Sequence, residues 1–373
     1  MAEIDYYELV RQKLALGPLY APKHKKVYEL MKIFWNDEEI KVLSHFESCD
    51  KPISLKQLRE RTDMSKEEIK EILRVPLKKK TITKIGSKYT LLPLVPGIFE
   101  QYFIRRQDTK ENLKRAAEIY RYLFKEWFPS FLVETDFKIF RPRLPLDAKE
   151  KLIEIDQSFD VQQQILSYEL VEELINKNEY FISVPCQCRL IGELSGEPCK
   201  VASPELGCFI AGPFAERAIK AGVPGMTKEE AIDFLKETEK AGLVHSCVPD
   251  SSAESSLFIC NCCSCHCGCL ISAKEHKKVG TIKSNYQPRL DHEICTKCDL
   301  CLKKCPMGII FHRWPNEEDK SDEYMYINEE FCIGCGICAA NCPNNAIKLV
   351  KVRDNISSEK AKIGNKTFLE LLM

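Results

Sequence analysis

The sequence lacks an excess of charge of either sign: 55 lysines and arginines balance 55 aspartates and glutamates in 373 residues. That balance excludes a global attraction to nucleic acid or to an acidic membrane surface and leaves only local patches. Long apolar runs are missing as well. The longest, residues 91–99 (LLPLVPGIF), is short and broken by prolines, so no membrane span is expected. The opening residues, MAEIDYYELV, are charged and carry no apolar core of the signal-peptide kind, which predicts a cytoplasmic protein. There is no low-complexity tract, no G-x-G-x-x-G signature, and no flavin or molybdenum motif. Cysteine is nearly absent from the first half. Of the 20 cysteines, only Cys49 precedes position 186. Thiols stay reduced in the cytoplasm, so the crowding of the rest reads as metal ligation rather than a disulfide framework.

The chain is too long for one ordinary core and predicts two to four domains. Residues 37–46 (DEEIKVLSHF) set Ile40, Leu43 and Phe46 at helical spacing. Ser54 caps a second helix over LKQLRERTD, and Ser65 with Glu68 makes a capping box for a third, KEEIKEIL, which Pro76 is expected to end early. TITKIGSKYTLL then alternates about Gly86-Ser87 as a β-hairpin. Three short helices and a hairpin are the order of a winged helix-turn-helix. Farther on, residues 108–127 predict an amphipathic helix, 141–145 (RPRLP) a linker, 162–176 a helix and 180–184 a strand. Thr227 with Glu230 boxes a helix that Gly242 ends.

The strongest motif is an internal repeat. Cys295-x2-Cys298-x2-Cys301-x3-Cys305-Pro306 returns as Cys332-x2-Cys335-x2-Cys338-x3-Cys342-Pro343. Two-residue gaps let a tight loop present successive thiolates and backbone N–H groups to one cluster. These residues resemble the bacterial-type two-[4Fe–4S] ferredoxin over about 288–350. The resemblance implies crossed ligation, with Cys295, Cys298, Cys301 and Cys342 on one cluster and Cys332, Cys335, Cys338 and Cys305 on the second. Zinc knuckles would not require the doubled run. After its second cysteine one repeat has Gly336 and the other Asp299. A carboxylate there makes adding an electron harder, which predicts a lower potential for the first cluster; the alternative is a solvated Asp of little effect. Residues 311–327 (FHRWPNEEDKSDEYMYI) read as an acidic solvated loop, with steering of a basic redox partner as the other reading.

A second group of cysteines has no such template. Cys186, Cys188, Cys199 and Cys208 lead to FICNCCSCHCGCL at 258–270, where six cysteines lie between Cys260 and Cys269. Six thiols exceed what one cubane can use. Cys260 and Cys262 would share one face of a strand while Cys263 points away. The ligand candidates are Cys186, Cys188, Cys199, Cys208, Cys260, Cys262, Cys263 and Cys265, with Cys267 and Cys269 less favoured and His266 left out. A third [4Fe–4S] cluster drawing on both segments is expected, and a fourth cluster or a non-cubane centre is the variant. A zinc site that includes His266 and a redox-active thiol cluster are the rivals. Arg189 and Lys200 stand where they could offset thiolate charge. Cys49 and Cys247 read as small buried residues.

The fold expected is therefore α+β and multidomain. Residues 1–100 form a winged-helix-like domain, 101–180 a helical connector, 181–287 a central α-rich, cysteine-rich cluster domain, 288–350 a C-terminal ferredoxin-like two-cluster domain, and 351–373 a tail. The tail's NKTFLELLM is either a docking helix or a frayed end. This order also resembles uncharacterised anaerobe 4Fe–4S-binding proteins with an N-terminal winged helix, which implies association with redox complexes. The function expected is electron transfer through two [4Fe–4S] clusters and one or two further iron–sulfur clusters, as a subunit or adaptor of a larger oxidoreductase complex rather than its catalytic subunit. The alternative is a redox-sensing winged-helix transcription regulator. DNA is the weaker partner candidate: Lys78, Lys79, Lys80, Lys84 and Lys88 make a basic patch, but the third helix is nearly neutral.

Overall fold

Capping chemistry fixes many of the helix ends. The computed structural model describes residues 4–16, 19–135, 140–153, 170–247, 257–276, 281–316, 322–353, 362–363 and 366–367. They belong to two compact units, Met1–Leu123 with Leu190–Pro198 and Lys362–Met373, and Phe124–Arg189 with Cys199–Ala361.

The first unit runs α1 (Tyr6–Lys13), β1 (Ala15–Leu16), β2 (Leu19–Tyr20), α2 (Lys25–Phe34), α3 (Asp37–Leu43), α4 (Leu55–Thr62), α5 (Lys66–Lys79), β3 (Ile82–Ile85), β4 (Lys88–Leu91), α6 (Phe99–Arg105) and α7 (Lys110–Tyr122). Ser54 and Ser65 cap α4 and α5 as the sequence predicts, each within a capping box. Ile40, Leu43, Leu58, Ile69 and Leu73 turn inward beneath the β3–β4 hairpin residues Ile82, Tyr89 and Leu91, all buried. Each such side chain contributes about 1.5–3 kcal/mol against the entropy of ordering it. Pro76 does not end α5, which continues to Lys79 before Lys80 closes it in the left-handed region. Near the end of the helix a proline forfeits only the one bond its N–H would donate, while its carbonyl still accepts, here from the Thr81 N–H at 3.0 Å. Lys79 leaves the expected basic patch: its ammonium lies 2.9 Å from the Asp108 carboxylate.

The second unit is organised by a five-stranded antiparallel sheet in the order β5-β8-β9-β7-β6, comprising β5 (Arg141–Pro142), β6 (Phe181–Val184), β7 (Cys208–Ala211), β8 (Val244–Cys247) and β9 (Leu257–Cys262). Side chains alternate across it. One face presents Phe181, Phe209, Cys247 and Ile259 to helices α9 (Val171–Asn176) and α12 (Lys228–Ala241). The other presents Ile182, Ile210 and Phe258 to α11 (Pro213–Lys220). The remaining helices of this region are α8 (Phe128–Thr135), α10 (Gln187–Leu194) and α13 (Gly268–His276). The cysteine-rich region has more helix than strand, and a sheet organises it. Its strands are short, and cysteine obscures the apolar alternation that would reveal them.

Residues 141–145 are not a linker. Arg141–Pro142 is an edge strand, where a missing N–H is tolerated, and the Arg143 N–H donates to the His245 carbonyl at 2.8 Å. Of the helix expected over 162–176, residues 171–176 are helical and 162–169 lie outside the described residues. Thr227 boxes α12, and Gly242 ends it with φ +92°. Beyond the sheet come β10 (Tyr286–Leu290), α14 (Leu300–Lys304), β11 (Ile310–Arg313), β12 (Tyr324–Ile327), α15 (Ile337–Ala340) and β13 (Ile347–Lys351), with β10 paired to β13 and β11 to β12. The ends of the acidic stretch are therefore a β-hairpin rather than a solvated loop; residues 317–321 lie outside the described residues. In the tail, β14 (Lys362–Ile363) pairs with β15 (Lys366–Thr367); of the docking or frayed helix expected over 365–373, residues 366–367 are a strand instead, and residues 365 and 368–373 lie outside the described residues.

Burial pushes the Glu100 carboxyl in α6 up to about 7, against the opposing hydrogen bond from the Gly97 N–H at 2.5 Å. The folded chain then holds this proton more tightly than the unfolded chain, whose value is near the usual 4.5. Stability from Glu100 is full below that value and is lost as pH rises through about 7. Hydrogen exchange at α6, followed from about pH 5 to pH 8, should show protection falling in the wild type and a flatter profile in Glu100→Gln. Equal slopes would rule the coupling out.

Candidate metal centres

Strand register brings the first thiols together. Phe209 pairs with Ile259 between β7 and β9, and one residue farther on Cys208 and Cys260 set their Sγ atoms 3.7 Å apart. β6 ends at Val184, and the chain crosses beneath Gly207 to place Cys186 and Cys188 at the start of α10. That crossing needs glycine: a Cβ on residue 207 would meet the Val184 oxygen at 2.0 Å and the Cys186 nitrogen at 2.4 Å.

From this corner the thiols form a connected set. Cys260 bonds to Cys208 and Cys262, Cys262 to Cys267, and Cys267 to Cys269. Cys186 and Cys188 bond to each other and face Cys267. Hydrogen bonds donated to neighbouring thiols, and then burial, push Cys188, Cys260 and Cys269 above the usual thiol range. The bond from Cys188, helped by the Arg189 charge, brings Cys186 down to about 7. Cys267 is also lowered, by Cys262 and Cys269 and by N–H groups at the start of α13. These seven sulfurs exceed the four ligand positions of one metal ion, and as soft donors they suit a polynuclear thiolate-held centre.

Of the other four cysteines of the region, Cys247 lies in the sheet core and three go elsewhere. Cys199, Cys263, Cys265 and His266 bring one ligand atom each within 4.8 Å of one another. Cys263 parts from its neighbour Cys262 because β9 ends there and the chain turns through 264–266. Of the sequence candidates, Cys186, Cys188, Cys208, Cys260 and Cys262 thus join one set and Cys199, Cys263 and Cys265 another. Cys267 and Cys269 stand fully within the first set, and His266, left out by sequence, stands in the second. The signal for His266 is its place in a tight turn, three residues after Cys263.

Arg189 lies between the two sets and has no exposed surface. Its guanidinium donates to the backbone carbonyls of Ser203 (3.0 Å), Asn261 (2.9 Å) and Leu206, and it interacts with Cys186, Cys199 and Cys263. Lys200 is exposed and contributes far less. Behind Asn261, its side-chain oxygen lies 2.7 Å from His245 Nδ1, and His245 Nε2 lies 2.9 Å from Glu239, which also accepts from the Leu146 N–H. Asn261 donates to the Gly207 carbonyl, which fixes the glycine that the thiol corner needs.

The repeated cysteines also meet as two sets. Cys301 faces Cys295, Cys298 and Cys342, and these four line one cavity. Cys335 and Cys338 face Cys332 and Cys305. Four soft donors per set fit a [4Fe–4S] cluster, and backbone N–H groups reach thiols of both sets, among them Gly334 to Cys332 at 3.3 Å and Ala346 to Cys342 at 3.2 Å. Both loops use the same left-handed turns, at Lys297 and Asp299 (φ +53° and +63°) and at Gly334 and Gly336 (φ +71° and +74°). The second loop requires glycine because a Cβ at 334 would meet Ser284 Oγ at 2.1 Å and one at 336 would meet Pro145 at 2.7 Å. Open space around the first loop admits side chains. Asp299 is not simply solvated: its carboxylate lies 2.7 Å from His312 Nε2, and Glu323 lies 2.9 Å from His312 Nδ1.

Gly207→Ala should force apart the Val184–Cys186 and Cys208 segments. The expected result is loss of metal from the cysteine-rich region with the ferredoxin-type absorption retained; full metal content in this variant would show that the corner is not needed.

No curated protein and no solved structure gives a match to the chain. Residues 294–346, which hold both repeats, match the family described as a 4Fe-4S dicluster domain, so this part of the chain is an iron–sulfur domain of the kind that supports electron transfer.

Proposed function

We propose that the chain is an iron–sulfur electron carrier that works as a subunit or adaptor between redox proteins in the cytoplasm. The reading is carried by one observation: a dicluster-type domain whose eight thiols fall into two sets of four. In it Cys295, Cys298, Cys301 and Cys342 hold one cluster, and Cys332, Cys335, Cys338 and Cys305 the other. The seven-thiol set of Cys186, Cys188, Cys208, Cys260, Cys262, Cys267 and Cys269 holds an additional iron–sulfur centre. Bound [4Fe–4S] clusters supply one-electron transfer. The chain's own residues set how readily that happens. Cys332, Cys335 and Cys338 are buried, whereas Cys298 is exposed and Cys295 half-buried, so the first set faces outward toward a partner. The second set sits against the interior, where Asn341, beside Cys342, donates to the Glu239 carbonyl at 2.9 Å and ties the dicluster domain to α12.

Helices α3–α5 followed by the β3–β4 hairpin give the first unit the order of a winged helix, which we assign to docking a partner protein. Lys79 is held by Asp108, which takes one of the five lysines out of the patch that would meet phosphate. Among the described residues no helix is long and apolar enough to cross a membrane.

Protein purified without oxygen should carry about twelve irons, four per cluster, and should bring its redox partner with it. About eight irons would confine clusters to the repeats and refute the additional centre. Asp299→Asn should raise the potential of one cluster by tens of millivolts, the scale of roughly 1 kcal/mol of Coulomb energy beside the cluster. Redox titration that finds no positive shift in any cluster would remove the role assigned to this carboxylate.

A further inference from the structure

Three thiols and one imidazole belong to none of the iron–sulfur sets assigned above, and they differ from the seven-thiol set in being four in number and in including an imidazole. Two thiolates on a single tetrahedral zinc, each at about 2.3 Å, stand about 3.8 Å apart. Cys199 Sγ lies 3.7 Å from Cys263 Sγ and 3.5 Å from Cys265 Sγ, and His266 Nδ1 lies 3.2 Å from Cys265 Sγ. Cys208 and Cys260 approach as closely, at 3.7 Å, so it is the imidazole and the count of four, rather than the short distances alone, that mark a site for one ion. The set is closed at four, the number a structural tetrahedral site uses.

We propose that Cys199, Cys263, Cys265 and His266 hold one tetrahedral divalent ion of the zinc type, separate from the iron–sulfur sites, which staples the Cys199 loop to the turn before α13. The charge count agrees. Three thiolates, a neutral imidazole and a dication leave one negative charge, and the buried Arg189 guanidinium supplies one positive charge against Cys263 and Cys199. The Val201 N–H donates to Cys199 Sγ at 3.4 Å, a bond that supports a thiolate ligand. Cys263 and His266 are buried and Cys265 is exposed, so the ion has an entry path. The staple spans 64 residues of chain between Cys199 and Cys263 and fixes the turn that delivers Cys267 and Cys269. The ion is structural: all four positions are filled by protein, and none is left for substrate.

The test is metal analysis of the full chain purified without oxygen, with zinc and iron measured on the same sample. About one zinc per chain is expected, lost in Cys199→Ser with the ferredoxin-type iron retained. His266→Cys, which preserves four soft ligands, should keep the zinc, and replacing it with cobalt(II) should give the visible bands of a tetrahedral thiolate site in the wild type. The proposal is overturned if the wild type holds iron but less than a tenth of a zinc, or if Cys199→Ser loses about four irons and no zinc. Should Cys199→Ser fail to fold, the wild-type zinc content and the cobalt spectrum decide alone. The inference rests on the carrier reading only in assigning iron elsewhere: if the repeats held no iron, that reading would fall while the zinc count stood.

Discussion

A guanidinium with no access to water must be surrounded by groups that accept its protons and balance its charge, and in the second unit Arg189 meets both demands at one point. Three backbone carbonyls, from Ser203, Leu206 and Asn261, take its hydrogen bonds. Neutral carbonyls do not cancel a full charge, and the lowered thiols Cys186 and Cys199 stand beside it, with Cys263 also in contact. The loop at 203–206, the end of β9 and the start of α10 are thereby held together by one side chain. Remove the charge and the thiols lose their counterion; remove the thiols and a buried cation is stranded.

The polar interior behind Arg189 extends that constraint into the sheet. Asn261, between Cys260 and Cys262, turns its side chain to the opposite face, where it bonds to His245 and to the Gly207 carbonyl. His245 in turn meets Glu239 near the end of α12, whose carbonyl takes the Asn341 side chain of the dicluster domain. A fully partnered polar network of this sort specifies one arrangement, because each member left unpaired would cost the desolvation of a buried group. The thiol corner and the two repeats therefore share a rigid frame. Fixed spacing between redox centres is what an electron carrier requires of its protein.

The two repeats show how local packing filters sequence. Their loops follow the same backbone path, yet one uses Lys297 and Asp299 where the other uses Gly334 and Gly336. Only the second is pressed against neighbours, Ser284 and Tyr286 on one side and Pro145 on the other. The first pays a small strain for side chains in the left-handed region and gains a surface that carries charge. The segment read as a linker, residues 141–145, turns out to supply both the sheet edge and the proline that backs the second loop.

The sequence by itself determined the features governed by short spacing. The doubled cysteine run, the capping boxes at Ser54, Ser65 and Thr227, the stop at Gly242 and the hairpin after α5 all depend on residues within a few positions of one another. Ligand candidacy of the cysteines was legible for the same reason, since thiol chemistry belongs to the residue. Their division was not. Cys262 and Cys263 are adjacent in the chain and part company only because β9 stops between them, in a register fixed by β7 and β8. His266 enters a thiol set through a turn, Arg189 becomes a counterion through burial, and Pro142 lies in a strand because that strand is at an edge. Each of these depends on groups distant in sequence meeting in space, and only the tertiary structure decides which of them meet.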